Sequence, residues 1–161
     1  LIEMASRWPD QILVLAGPDG TAVDALKLRA QQLRLKQVRF YTDVDEAQKA
    51  WLYAHCKAFL FPSLMEGFGL PPIEAMFFGK PVIVAQRTCL PEICGNAAAY
   101  WNDFSPQAMR NVVQAHVVTH HKDVTQADLT RKQALRYVWP RAAQQYMNLY
   151  APTLKPVEST C

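Results

Sequence analysis

Glu66 and Glu74 stand with seven residues between them in Pro62-Ser63-Leu64-Met65-Glu66-Gly67-Phe68-Gly69-Leu70-Pro71-Pro72-Ile73-Glu74, a segment that also carries two glycines and a double proline. Gly67 and Gly69 let the backbone turn sharply and approach a ligand, and a helix opening behind them presents the positive end of its dipole. Pro71 and Pro72 have no N–H, so the donors are confined to the region of Phe68, Gly69, Leu70 and Ile73. Such a cradle suits a phosphate. The carboxylates need a different partner, because phosphate oxygens would repel them. Ionised carboxylates only accept hydrogen bonds, and pairs of neighbouring sugar hydroxyls are the natural donors. A ligand with a sugar on each side of a phosphate group meets both demands, and that describes a nucleotide sugar.

The elements that must position this segment follow from hydrophobic period. Gln11 to Gly17 (QILVLAG) is a short apolar run closed by Gly-Pro, the pattern of a strand buried on both faces. Val23, Leu26, Ala30 and Leu33 recur at helical steps, predicting a helix from about Thr21 to Lys36. Val38 to Thr42 is a second strand, after which Asp45 caps a helix whose Ala47, Ala50, Trp51 and Ala54 form one stripe. Ala58 to Phe61 is a third strand. Pro71 to Phe78 is a helix with prolines at its entrance and Gly79 past its end. Pro81 to Ala85 is a fourth strand and Ala97 to Trp101 a weaker fifth.

Beyond Trp101 only helical stripes follow. One runs through Met109, Val112, Val113, His116 and Val117, and the last through Trp139, Ala142, Ala143, Tyr146 and Tyr150. Between them Thr125 and Asp128 resemble a start signal for a helix reaching about Val138. Alternating strands and helices imply an α/β fold with a doubly wound parallel, Rossmann-like sheet. Ligands bind such sheets beyond the carboxyl ends of the strands, which selects the loops after Gly17, Thr42, Phe61 and Ala85.

Composition narrows the partners. The 161 residues carry 17 Lys+Arg against 14 Asp+Glu, a net charge of +3 without any basic run, which leaves no electrostatic footprint for nucleic acid. Half the residues are apolar, enough for one sizeable core. No stretch reaches the ~18 apolar residues of a membrane span and the first residues do not read as a signal peptide. Cys56, Cys89, Cys94 and Cys161 form no Cys-x-x-Cys pair or disulfide framework. The expectation is a cytoplasmic protein, with contact at the cytoplasmic membrane face open to it.

The segment FLFPSLMEGFGLPPIEAMFFGKPVIVAQRTCLPEICGNAAAYW resembles the donor-binding core of the retaining glycosyltransferases of family 4, which have the two-domain GT-B fold. Glu66 and Glu74 match the family's paired glutamates without gaps, with Gly-Phe-Gly between them. Gly79 to Ile83, Leu90 to Glu92 and Gly95 to Ala97 also match. A weaker similarity extends over roughly Gln11 to Tyr150 and includes the Trp-containing last helix. The resemblance implies roles for these residues. Glu66 is the catalytic candidate, accepting hydrogen bonds from hydroxyls of the donor sugar. The backbone of Gly67, Phe68, Gly69 and Leu70 holds sugar and diphosphate, and Glu74 binds the ribose. The loop from Tyr41 to Asp45, through Thr42 and Asp43, meets the nucleobase. Glu66 could be a nucleophile or could orient the sugar and stabilise charge; a hydroxyl-bonded carboxylate is poorly placed for attack, which favours the second. No cofactor or metal is implied; the donor substrate is a nucleotide diphosphate sugar, GDP- or UDP-linked.

In that family a strand and helix precede the counterpart of QILVLAG, and an Arg and a Lys near that strand clamp the diphosphate. Leu1 to Asp10 resembles only the tail of the helix. The expected organisation is therefore an N-terminally incomplete donor-binding domain over 1–151, lacking its first, central strand between QILVLAG and AFLF, followed by an extended or mobile tail over 152–161. The acceptor, a saccharide or lipid-linked saccharide, would be bound by a separate N-terminal domain, and the fragment alone is expected to be inactive.

Other candidates carry blander readings. His116 and His120 have a metal-like spacing, but His116 lies on an apolar stripe and reads as a half-buried, hydrogen-bonded histidine. Cys89 and Cys94 read as small buried thiols and Trp139 as a core residue. The Asp19-Gly20 turn either starts a helix or lines the cleft. The resulting assignment is hexosyl transfer, mannosyl among the candidates, in a polysaccharide pathway. A non-catalytic nucleotide-sugar-binding module and a starch- or glycogen-synthase-like elongating enzyme are the alternatives.

Overall fold

The computed structural model describes residues 1–151. The tail expected over 152–161 lies outside them. Five short strands are interleaved with helices. Strand β1 (Leu13–Gly17) pairs in parallel with β2 (Val38–Thr42), Leu13 opposite Val38 and Gly17 opposite Thr42. Strands β3 (Phe59–Phe61), β4 (Val82–Ala85) and β5 (Ala99–Trp101) form a second parallel ladder in that order. The break between ladders falls between β1 and β3, where the doubly wound order leaves its gap. Side chains bridge it. Lys57 Nζ donates to Gln11 Oε1 at 3.1 Å just ahead of the two strands, and Leu60 of β3 packs on apolar clusters belonging to both ladders.

Helices α1 (Ile2–Ser6), α2 (Thr21–Gln32), α3 (Glu46–His55), α4 (Leu70–Phe77) and α5 (Leu90–Cys94) occupy the connections. Helices α6 (Pro106–Lys122), α7 (Thr125–Ala134) and α8 (Trp139–Tyr150) follow the last strand. β4 is the centre of the core. All four of its residues are fully buried, Val82 and Val84 packing with Met76 and Leu90 on one face and Ile83 with Trp101 and Met109 on the other. Successive side chains thus feed opposite layers, as the period of a strand requires.

The expectation of burial on both faces fails for β1. Leu13 and Leu15 pack against Ile2, Ala5 and Ala30, while Val14 on the opposite face is exposed. Only one face of that ladder is covered among the described residues. Helix α2 also stops at Gln32, short of Lys36. Arg34 takes a left-handed φ of 54°, Leu35 N–H donates to Ala30 O at 3.0 Å and Arg34 N–H to Gln31 O at 2.9 Å. These are the paired bonds of a Schellman ending. An arginine occupies the position where glycine would have signalled it.

Two further starts and stripes differ. Helix α7 does start at Thr125, but its N-cap is Val124 with no side-chain cap in place of a Thr125–Asp128 box, and the Asp123 carboxylate just ahead accepts from Thr125 N–H at 2.9 Å and from the Thr125 hydroxyl at 2.7 Å. Helix α8 buries none of its residues and Trp139 is 85% exposed, so its assignment to the core is wrong. Among the described residues, α8 packs chiefly on the short 3-10 turn Leu135–Tyr137 that leads into it, and Trp139 and Tyr146 of its stripe are exposed.

His120, not His116, is the more buried histidine of α6. Nε2 of each is buried without a hydrogen-bond partner among the described residues, against the expectation of a bonded His116. Burial, then the neighbouring histidine, lowers the pKa of each, and Lys80 and Arg131 add to the effect on His120. The native state therefore resists protons that the unfolded chain accepts. Stability present above about pH 6.5 should fall as pH drops through the native values. Urea midpoints measured from pH 7.5 to 5.0 are expected to decline, with a shallower decline in the His116→Gln/His120→Gln variant.

Candidate functional site

The loop after β3 meets α4 at Gly69, the N-cap residue. Its φ of 94° and ψ of 57° are left-handed, and a Cβ there would lie 2.8 Å from Cδ2 of the fully buried Leu90. Only glycine fits both the backbone and the space. The turn opens α4 with Leu70 and Phe68 exposed, Gly69 buried between them and Pro71 and Pro72 behind, so the first turn of α4, which has no side-chain cap, follows the carboxyl end of β3. Glu66 is half-buried in the loop and Gly67 is exposed.

Neighbouring loops hold this one in shape. Glu66 N–H donates to Thr88 Oγ1 at 3.4 Å, and Cys89 Sγ lies 3.4 Å from Glu66 O and 3.3 Å from Phe68 O. The Phe68 ring meets Tyr137 edge-on at 5.6 Å. Thr88, past β4, and Asp43, past β2, have left-handed φ values of 48° and 57°. Both are non-glycine residues in a sparsely populated region, and both lie at the strand ends where a ligand is expected. Cys94 is fully buried and its thiol is pushed up to about 12 by burial, then by Cys89. That fits the reading of an inert thiol, whereas Cys89 bonds the loop instead of sitting passively in the core.

Glu74 lies in α4, one turn past Leu70, and is partly exposed. Its Oε2 accepts from the Tyr53 hydroxyl at 2.9 Å and its Oε1 from Lys49 Nζ at 3.3 Å. Both donors come from α3, which Asp45 starts with a reciprocal capping box to Gln48. Lys49 also meets Glu46 at 2.9 Å. Glu46, then Glu74, hold the ammonium above its ordinary value. Burial, then Glu74, push the Tyr53 phenol up, keeping it a neutral donor. The expected α3 stripe missed these residues because Trp51 is 60% exposed and stacks on His55 at 4.3 Å. Tyr53 takes the buried position. The signal was the spacing of Lys49 and Tyr53, four apart and hence on one helical face.

Thr42 ends β2 half-buried and Asp43 follows it exposed, leading directly into α3. The structure thus brings Glu74 to α3 and surrounds Glu66 with the loop after β4. Asp19 precedes Gly20, which is the N-cap of α2, so that turn starts a helix. A cavity of about 480 Å³ lined by Lys27, Arg34, Lys36 and Phe40 lies at the opposite, amino end of β2, away from the carboxylates. Among the described residues no cluster of three His, Cys, Asp or Glu could hold a metal ion, and no helix is long and apolar enough to cross a membrane.

The family model of the glycosyl transferases group 1 matches residues 1–114. The chain belongs to that family. It is 30% identical over 154 residues to O-antigen chain mannosyltransferase B of Escherichia coli, covering 92% of this chain and 39% of that protein. Over 112 residues, 70% of this chain and 14% of the relative, it is 48% identical to the serotype-specific mannosyltransferase WbdA of Escherichia coli. The solved structure of Anabaena HepE in complex with UDP and glucose matches with a TM-score of 0.79 at 23% identity, over 96% of this chain and 44% of that one. The fold of this member of the family is the C-terminal half of the GT-B architecture. It spans well under half the length of these relatives.

Proposed function

We propose that this chain is the donor-binding part of a retaining transferase that moves a hexosyl residue, mannosyl foremost, from a nucleotide diphosphate sugar to a saccharide or lipid-linked acceptor. The carrying observation is the β3–α4 unit. Its left-handed Gly69 opens a helix N-terminus for a diphosphate, with Glu66 before it and Glu74 one turn behind. The mannosyltransferase relatives support the sugar, and the UDP and glucose held by HepE support the donor class.

In this reading, backbone N–H groups from Gly67 to Leu70 neutralise the diphosphate, and backbone around Thr42 and Asp43 receives the base. Glu74 accepts from the ribose. Glu66 accepts from hydroxyls of the transferred hexose and stabilises the charge that grows on its ring. The bond from anomeric carbon to diphosphate oxygen breaks with its electron pair leaving on the diphosphate, the acceptor hydroxyl oxygen bonds the carbon on the same face, and the hydroxyl proton passes to the departing diphosphate oxygen. Residues 1–151 form the donor domain, completed by a strand between β1 and β3, with the acceptor held by a separate domain.

The complete protein incubated with radiolabelled GDP-mannose or UDP-glucose and a lipid-linked oligosaccharide should transfer label from one donor, with the product's anomeric NMR coupling matching the donor's. Binding without transfer would identify a nucleotide-sugar-binding module, and elongation of an α-glucan primer would identify a glucan synthase.

A further inference from the structure

The Glu74 carboxylate is held by more than its own helix. Tyr53 is 8% exposed, with its ring edge-on to Phe59 at 5.4 Å and against Phe78 at 5.9 Å, so the phenol cannot swing away. Its hydroxyl donates to one Glu74 oxygen, and Lys49, itself fixed by Glu46, donates to the other. A carboxylate has about four acceptor sites, so roughly one remains on each oxygen. Two such sites, side by side on a plane fixed by α3, match a vicinal pair of hydroxyls.

We propose that Tyr53 and Lys49 are positioning residues that orient Glu74 for the two ribose hydroxyls of the nucleotide donor. The proposal rests on the reading of Glu74 as the ribose ligand. A carboxylate already confined to one rotamer loses less freedom on binding than a free one. A purely structural staple between α3 and α4 would use the same bonds, so the test must read ribose recognition itself.

The complete protein is assayed with the donor that supports turnover, GDP-mannose or UDP-glucose, and with its 2′,3′-dideoxyribose analogue. In the wild type the analogue should have a KM higher by ~10- to 100-fold, the effect of two hydroxyls lost from a charged acceptor. Tyr53→Phe keeps the aromatic packing and should raise the KM of the natural donor by ~5-fold, with kcat nearly unchanged and the analogue's KM unmoved. The discrimination between donors therefore shrinks. Lys49→Gln, at a partly exposed site, should shrink it likewise.

Equal increases in KM for both donors, or a change in kcat alone, would show a structural staple and overturn the proposal. So would unchanged discrimination in both variants. A wild type that does not discriminate between donors would overturn the ribose reading of Glu74 and this proposal with it.

Discussion

Glu66→Ala in the complete transferase is expected to lower kcat by ~30- to 1,000-fold while leaving the donor KM nearly unchanged, the loss of a charged acceptor worth roughly 2 to 4 kcal/mol in the transition state. On the proposed reading, the hydroxyls assigned to Glu66 belong to the ring that becomes oxocarbenium-like, so the interaction would strengthen as the glycosidic bond breaks. Glu74→Ala is expected to do the reverse. On the same reading the ribose is bound equally in ground and transition states, so removing the Glu74 carboxylate should raise the donor KM with little change in kcat. Steady-state kinetics with varied donor separate the two. The same pattern from both variants, or near-full kcat in Glu66→Ala, would mean that the sugar and ribose assignments are wrong.

Gly69→Ala is expected to destabilise the fold by roughly 2 to 5 kcal/mol, combining a left-handed conformation at ~1 to 2 with overpacking at ~1 to 3. The new Cβ would press on Leu90 Cδ2 at 2.8 Å, and Leu90 is fully buried in the core cluster with Val82 and Val84 of β4. Against a typical stability of about 5 to 15 kcal/mol this is a large share. Gly67→Ala is the control, since a Cβ there meets nothing within 4 Å. Urea midpoints should fall sharply for Gly69→Ala and stay within ~0.5 kcal/mol of wild type for Gly67→Ala. Equal effects would show that the loop relaxes and that the left-handed cap is not required.

Which features were legible in the sequence depended on whether their cause was local. The strand at Val82–Ala85 was readable from its unbroken apolar run, because burial on both faces demands exactly that composition. Gly69 before two prolines announced the start of α4 by chemistry confined to four residues. Arg34 hid the end of α2, since the bonds closing it are made by backbone and a non-glycine residue bears the strain. Trp139 was misplaced because a helical stripe shows that a face is apolar and not what covers it.

The site divides the same way. Glu66, Gly69 and Glu74 share one loop and helix, and their spacing could be read directly. Tyr53, Lys49, Thr88 and Cys89 reach the site from other elements, 21 to 25 positions away from their partners, a separation that no local pattern spans. Their contacts exist only once α3 and the loop after β4 are packed against α4.

The most direct measurement is a crystal structure of the complete protein with its nucleotide sugar donor. The account predicts the diphosphate at the N–H groups of Gly67 to Leu70, the ribose hydroxyls within hydrogen-bond distance of Glu74, and hydroxyls of the hexose on Glu66. A donor bound away from the β3–α4 loop, or one whose ribose lies on Glu66 and whose hexose lies on Glu74, would contradict it.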